Sequence, residues 1–352
     1  MVATNHQTYV YIGLGGEGDY IGEGGLVRRA DGEEEWSDIS KGLPDNPQVR
    51  ALAIRPDDPK VLFAGTDKGV FRSDDRGETW DALSDSPDGH EVWSLTIHPD
   101  DPNVIYAGYE PCSISRSQDG GKTWNMMDTS QVVYPHITTY MPPTGKRVIG
   151  IAFDPSDTKD IYAAVEVGGL LASRDGGNTW LSVIDGPYIK NNTLDLHHVQ
   201  VSAAAPGTVH IATQTALFLS RDKGARWEHV QVDEMFPGGS YCRDLLVAPD
   251  DPKTIYLAAG AGGGAAPPDT VKEGALFRSR DAGETYERLN LGETVPGRMM
   301  AIAIDSAAPD HIYCAAYSGE VYSSTDGGGS WSKSKTPAES SRSLHVYPMV
   351  CG

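Results

Sequence analysis

One decapeptide recurs along the whole chain, and its recurrence restricts the fold more than any other feature. It reads FRSDDRGETW at 71–80, SRSQDGGKTW at 115–124, LASRDGGNTW at 171–180, FLSRDKGARW at 218–227, FRSRDAGETY at 277–286 and YSSTDGGGSW at 322–331. A degenerate seventh copy, VRRADGEEEW at 27–36, keeps the Asp and the Trp. The central residues Asp31, Asp75, Asp119, Asp175, Asp222, Asp281 and Asp326 are separated by 44, 44, 56, 47, 59 and 45 residues, the period of one four-stranded propeller blade. Upstream of each copy lies an apolar strand, a Pro/Asp turn and a second strand, as in ALAIRPDDPKVLFAG and SLTIHPDDPNVIYAG. The strand order within a blade is therefore inner strand A, a Pro/Asp turn, B, a variable loop, C, the Asp turn and D.

Seven copies predict an all-β, seven-bladed β-propeller over residues 1–352. Six blades span 49–90, 91–146, 147–194, 195–240, 241–296 and 297–341; the seventh joins 1–48 to 342–352. TYVYIGLGG at the amino terminus matches strand B directly, so SLHVYPMV near the carboxyl terminus is expected to supply the missing inner strand and close the ring. Closure removes an exposed edge. Forty Gly, twenty-three Pro and six Phe agree with many short strands and many turns.

Within the decapeptide, the Asp carboxylate accepts turn N–H groups, Gly permits positive φ, and the Trp is expected to pack beneath the next blade. The pattern resembles the BNR, or Asp-box, repeat of sialidases, photosystem II stability factors, family 74 glucanases and sortilin-type receptors. That resemblance covers nearly the whole chain and implies that the boxes are architecture, remote from any pocket.

The opposite, upper face carries the D-to-A crossings, the B-to-C loops and the first residues of each A strand. Aligning the A strands on their apolar cores puts Arg50, Trp93, Ile149, His197, Arg243 and Met300 at one level. Gln48, Glu91, Arg147, Asp195, Tyr241 and Arg298 fall two residues nearer the mouth. Four arginines here, in a chain of net charge −20, invert the local sign and suit an anionic ligand. The competing structural reading pairs them with Glu91, Asp195, Glu110 and Glu166.

His197, Tyr241, Asp195 and Glu91 are the candidate catalytic groups, able to move protons. Arg50, Trp93, Arg147, Arg243, Arg298 and His136 are the candidate substrate-binding groups. His198 is expected to face away from the channel. A divalent metal held by His90, His136 and His345 with Glu91 or Glu110 is conceivable, but no spacing supports it, and it is not favoured. Two segments break the period: the crossing 131–147, with Tyr134, His136, Tyr140 and Met141, and the Gly-rich loop 260–274.

The acidic charge argues against nucleic acid. No apolar run is long enough to span a membrane, and MVATNHQTYVYIG lacks the pattern of an export signal, so the expected compartment is the cytoplasm. Cys112, Cys242, Cys314 and Cys351 lack CxxC spacing.

The favoured function is a hydrolase or lyase taking a small anionic organic molecule into the channel. The alternative is a non-catalytic module that binds a protein partner, as the resemblance to photosystem II stability factors implies. A sialidase-like glycosidase stands third. Sialidases normally have six blades and an Arg in an FRIP-like motif, and family 74 glucanases join two propellers.

Overall fold

The computed structural model describes residues 6–16, 22–83, 90–134, 145–184, 194–230, 235–236, 240–262, 273–337 and 345–352. All regular structure among them is β: seven four-stranded antiparallel sheets arranged as a propeller. The inner strands of blades 1 to 6 are Ala51–Ile54, Glu91–Ile97, Arg147–Asp154, Leu196–Val201, Ser240–Val247 and Met299–Asp305. Blade 7 closes the ring as the sequence predicts. His345–Cys351 is its inner strand and pairs antiparallel with Tyr9–Gly15, which pairs onward with Gly25–Ala30 and Ser37–Asp38.

Six of the Asp turns share a core of hydrogen bonds, and all but the Asp222 copy add a hydroxyl donor. In blade 1, Ser73 Oγ donates to Asp75 Oδ1 (2.7 Å) and accepts from Gly77 N (2.7 Å), while Asp75 accepts from Thr79 N (2.9 Å) and Thr79 Oγ1 (2.7 Å). Asp119, Asp175, Asp222, Asp281 and Asp326 each accept from the preceding Ser hydroxyl and from the N–H four residues on. The Asp31 copy has Arg29 in the Ser position; Asp31 instead sits 3.5 Å from His311 Nδ1. The residue after each Asp donates its N–H to the A–B turn of its own blade, for example Arg76 to Lys60 and Gly120 to Asn103. Both turn types therefore share the lower face. That residue also has positive φ, which Arg76 (63°), Lys223 (59°) and Ala282 (58°) adopt without being glycine.

Each blade-to-blade interface holds its own apolar cluster. The turn tryptophans pack on the preceding blade and not the next, as the sequence reading had it. Trp80 of blade 1 lies with Ile39 of blade 7 and donates Nε1–H to its carbonyl (2.8 Å), and Trp180 of blade 3 lies on Tyr106 of blade 2. The Trp80 backbone N–H also donates to the Lys41 carbonyl (3.1 Å), which ties the end of this turn to the blade before it.

The inner strands share one irregularity. In blades 2 to 6 the ladder steps over a single residue at the same level: Trp93, Ile149, His197, Arg243 and Met300. In blade 7, Tyr347 and Pro348 together oppose Gly13. Such bulges break the alternation of a strand and re-aim side chains. Here they let consecutive residues, including His197 and His198, both face the channel.

Two outcomes follow. Trp180 is fully buried, so Trp180→Ala should cost about 3–5 kcal/mol in urea unfolding; a loss below about 1 kcal/mol would mean the blade 2–3 interface does not depend on it. The turn hydrogen bonds hold Asp119 and Asp326 down at about 2, and Asp75, Asp175, Asp222 and Asp281 below the ordinary value. A depressed carboxyl contributes stability above its unfolded value that is lost as pH falls through the folded one. Urea midpoints should therefore drop steeply between about pH 4 and 2, and Asp119→Asn should flatten that drop; an unchanged slope would show the turns carry no charge-dependent stability.

Candidate functional site

The channel between the inner strands holds a cavity of about 250 Å³. Its wall includes Arg50, Trp93, Ile149, His197, Arg243, Met300 and Tyr347, one from each blade. Six of these are the residues that the sequence register aligned. Tyr347 completes the ring; the closing strand resembles no other copy closely enough to reveal it.

The arginines are engaged with neighbours. Arg50 donates to Glu91 (2.8 Å) and to the Gly16 carbonyl (3.0 Å). Arg147 pairs with Glu166 and lies 3.9 Å from Glu110. Arg50 from blade 1 and Arg147 from blade 3 also lay their guanidinium groups over the Trp93 ring, at 4.4 and 4.0 Å from its centre. Trp93 is 5% exposed and meets Tyr347 edge-on at 5.6 Å. Cations from both neighbouring blades thus lie over the Trp93 ring. Arg298 stacks on Tyr241 at 3.8 Å, and Arg243 lies 5.9 Å from the centre of Tyr347.

Blades 2 to 4 carry an acidic arc. Glu91 and Glu110 are direct partners in the blade 2 ladder, and Arg147 and Glu166 are partners in blade 3. Their side chains differ in depth: Glu91 is 35% and Glu110 27% exposed, against 15% for both Glu166 and Asp195. Burial raises the Glu110 carboxyl above its ordinary range, with Arg147 opposing and Glu91 reinforcing the shift. Burial and the Glu166 charge push Asp195 up to about 8, while Arg147 and Arg243 pull it back.

His197 is buried, with Nδ1 2.7 Å from the Cys242 carbonyl and its ring 4.5 Å from that of Tyr241. A carbonyl only accepts, so the proton sits on Nδ1, and Nε2 turns toward Asp195 Oδ1 at 3.9 Å. The predicted group of His197, Asp195 and Tyr241 is thus brought together, whereas Glu91 stands apart with Arg50. His198 does not face away. Because of the bulge its Nδ1 reaches Asp244 Oδ1 (2.8 Å) across the channel wall, and Asp244 also accepts from Ile302 N (2.8 Å), linking blades 4, 5 and 6.

Of the imidazoles considered for a metal, the two among the described residues, His90 and His345, have separate partners. His90 meets Ser113 Oγ at 3.1 Å, and His345 lies between the rings of Tyr317 and Tyr347. His136, Tyr140 and Met141 fall outside the described residues, as does most of the Gly-rich loop. Tyr134 is described, and its hydroxyl donates to Cys112 Sγ (2.9 Å). The gathering of possible metal ligands is instead Glu166, Asp195 and His197, whose ligand atoms lie within 4.8 Å of one another. Sequence reasoning treated Glu166 only as a partner for an arginine. Its register opposite Arg147 was the available signal.

Similarity to known proteins agrees with this architecture. A xyloglucanase of Paenibacillus sp is 27% identical over 228 residues, 53% of this chain and 21% of that protein. An oligoxyloglucan-reducing end-specific xyloglucanase of Emericella nidulans is 24% identical over 226 residues, 54% and 28% of the two chains. The alignments thus span about a quarter of these relatives' length. Among solved structures, the GH74 xyloglucanase of Xanthomonas campestris superposes with a TM-score of 0.65 at 20% identity, covering 86% of this chain and 47% of that one. A structure described as YCF48 bound to D1 peptide gives 0.55 at 16% identity, covering 87% and 86%. The family model described as the DUF6242 beta propeller domain matches residues 1–280, and the chain belongs to that family.

Proposed function

We propose that this propeller is a glycoside hydrolase whose chemistry occurs at the upper mouth of the channel, on Glu110 and Glu91. The observation that carries this reading is the opposition of the two carboxyls in the blade 2 ladder, in unlike surroundings. Hydrolysis of a glycosidic bond needs one carboxylic acid to protonate the leaving oxygen and one carboxylate to act as base or nucleophile. Glu110, raised by burial, is the acid. Glu91, paired with Arg50, is the carboxylate.

Side chains directly opposite across a ladder have Cβ atoms about 4.5–5.5 Å apart, and two Glu side chains can span a glycosidic oxygen from there. Both are more exposed than Asp195 and Glu166, as a saccharide lying across the mouth requires. The relatives named as xyloglucanases support the reaction class. They also move it ahead of the small-anion hydrolase or lyase, because Arg50 and Arg147, on which that reading leaned, are paired with glutamates.

A binding module without catalysis is the second reading. It is favoured by the mutual coverage of 87% and 86% with the structure described as YCF48 bound to D1 peptide.

Release of reducing ends from xyloglucan oligosaccharides and other β-glucans tests the proposal. Glu110→Gln and Glu91→Gln should each lower kcat by at least about 10²-fold with the fold intact by circular dichroism. Arg147 holds the Glu110 carboxyl down, so Arg147→Met should move the alkaline limb of the pH profile to higher pH. Unchanged turnover in both Gln variants, or no hydrolysis of any glycan, would exclude this site and favour the binding module.

A further inference from the structure

Beside the two glutamates, at the junction of blades 3 and 4, three side chains of different origin point to one spot. Glu166 ends the second strand of blade 3, and Asp195 and His197 flank the start of the blade 4 inner strand. One ligand atom from each lies within 4.8 Å of the other two. A point shared by three atoms at that spacing is no more than about 2.8 Å from each, so a shift of under about 1 Å per side chain reaches the 2.0–2.2 Å of zinc–nitrogen and zinc–oxygen bonds.

Two further features suit a cation. The Cys242 carbonyl fixes the His197 proton on Nδ1, and Nε2 is the nitrogen on the side of the cluster, 3.9 Å from Asp195 Oδ1. A backbone carbonyl holding the distal N–H of an imidazole is the usual support behind a metal-ligating histidine. Asp195 Oδ1 is buried and has no hydrogen-bond partner among the described residues, and its 3.9 Å separation from His197 Nε2 is too long for one. An unsatisfied buried carboxylate oxygen is costly, and a cation at this point would satisfy it. Among the described residues, Arg147 and Arg243 are the positive groups facing the cluster. Arg147 engages Glu166 through Oε2, so a cation would share this carboxylate with the guanidinium.

We propose that Glu166, Asp195 and His197 bind one divalent first-row cation, with its remaining coordination positions open to the channel. A mixed imidazole and carboxylate set suits Zn²⁺ or Mn²⁺ better than Ca²⁺, which prefers six to eight oxygens. The site uses neither Glu91 nor Glu110, so it goes beyond the glycosidase reading: cation binding and glycan hydrolysis can each fail alone.

Calorimetric titration of the chelator-treated full chain with Zn²⁺ tests it, with Ca²⁺ as the contrast. The expected result is one equivalent of Zn²⁺ bound, a higher Tm, and a weaker response to Ca²⁺. Asp195→Asn and His197→Gln should each weaken binding at least about tenfold, while His229→Gln, on the exposed outer strand of blade 4, should not. Folding of each variant is checked by circular dichroism, and Asp195→Asn, nearly isosteric, keeps the test open if His197→Gln does not fold. On the unaltered protein, Co²⁺ should give a visible absorption distinct from that of the aqueous ion. No stoichiometric binding, an aqueous-type Co²⁺ spectrum, equal binding in Asp195→Asn, or loss in His229→Gln would each overturn the proposal.

Discussion

The pairing of His345–Cys351 with Tyr9–Gly15 is the constraint on which the molecule depends. A propeller blade buries both faces only when it has a neighbour on each side, so an open array would leave two apolar faces and an unpaired edge in water. Strands from the two ends of the described chain make the seventh blade, and the cluster containing Val10, Ile12, Val346 and Met349 then packs against Tyr313 and Ala315 of blade 6. Every inner strand is held at a fixed angle around the axis as a result. The channel wall, one residue per blade at each level, is a consequence of closure and not of any single blade.

The inner strands are not hydrogen-bonded to one another as a sheet, and this shapes the chemistry of the channel. Their side chains make the connections instead: Ser94 Oγ donates to the Val148 carbonyl, Thr96 Oγ1 to the Ile151 carbonyl, and His197 Nδ1 reaches the Cys242 carbonyl. The bulges supply the extra inward residues that these contacts use. At the mouth the same task falls to charges. Arginines and carboxylates of adjoining blades alternate around Trp93, and each half-buried charge needs its counterpart because desolvation would otherwise exclude it. A chain of net charge −20 therefore concentrates arginines here. They balance an acidic arc, and the places where balance is incomplete, at Glu110 and Asp195, are where proton transfer or a cation finds a use.

Much of this was legible in the sequence, and for an identifiable reason. The Ser-x-Asp-x-Gly-x-Thr-Trp turn is held by contacts within a few residues, so seven copies announce seven blades and their strand order. Repetition also fixes register: aligning Trp93, His197 and Arg243 on their apolar strands placed them at one level because each blade repeats the same local geometry. Where a local rule was extended beyond its repeat, it failed. Simple alternation turned His198 outward, but a bulge that leaves no mark in composition turned it inward to Asp244. The direction of the turn tryptophans was likewise set by which neighbour lies behind the turn.

The sequence by itself determined the number of blades, the order of their strands, the closing pair and the short set of polar residues at the channel mouth, because all of these follow from a repeat whose own contacts are local. Only the tertiary structure decided which charges meet. Arg147 could pair with Glu91, Asp195, Glu110 or Glu166 on sequence grounds; the blade 3 ladder gives it Glu166, and the packing of blade 2 on blade 3 brings Glu110 near it and gives Trp93 a guanidinium from each neighbouring blade. Glu166, Asp195 and His197 likewise come from two blades and meet only because the closed ring sets the ends of those strands side by side.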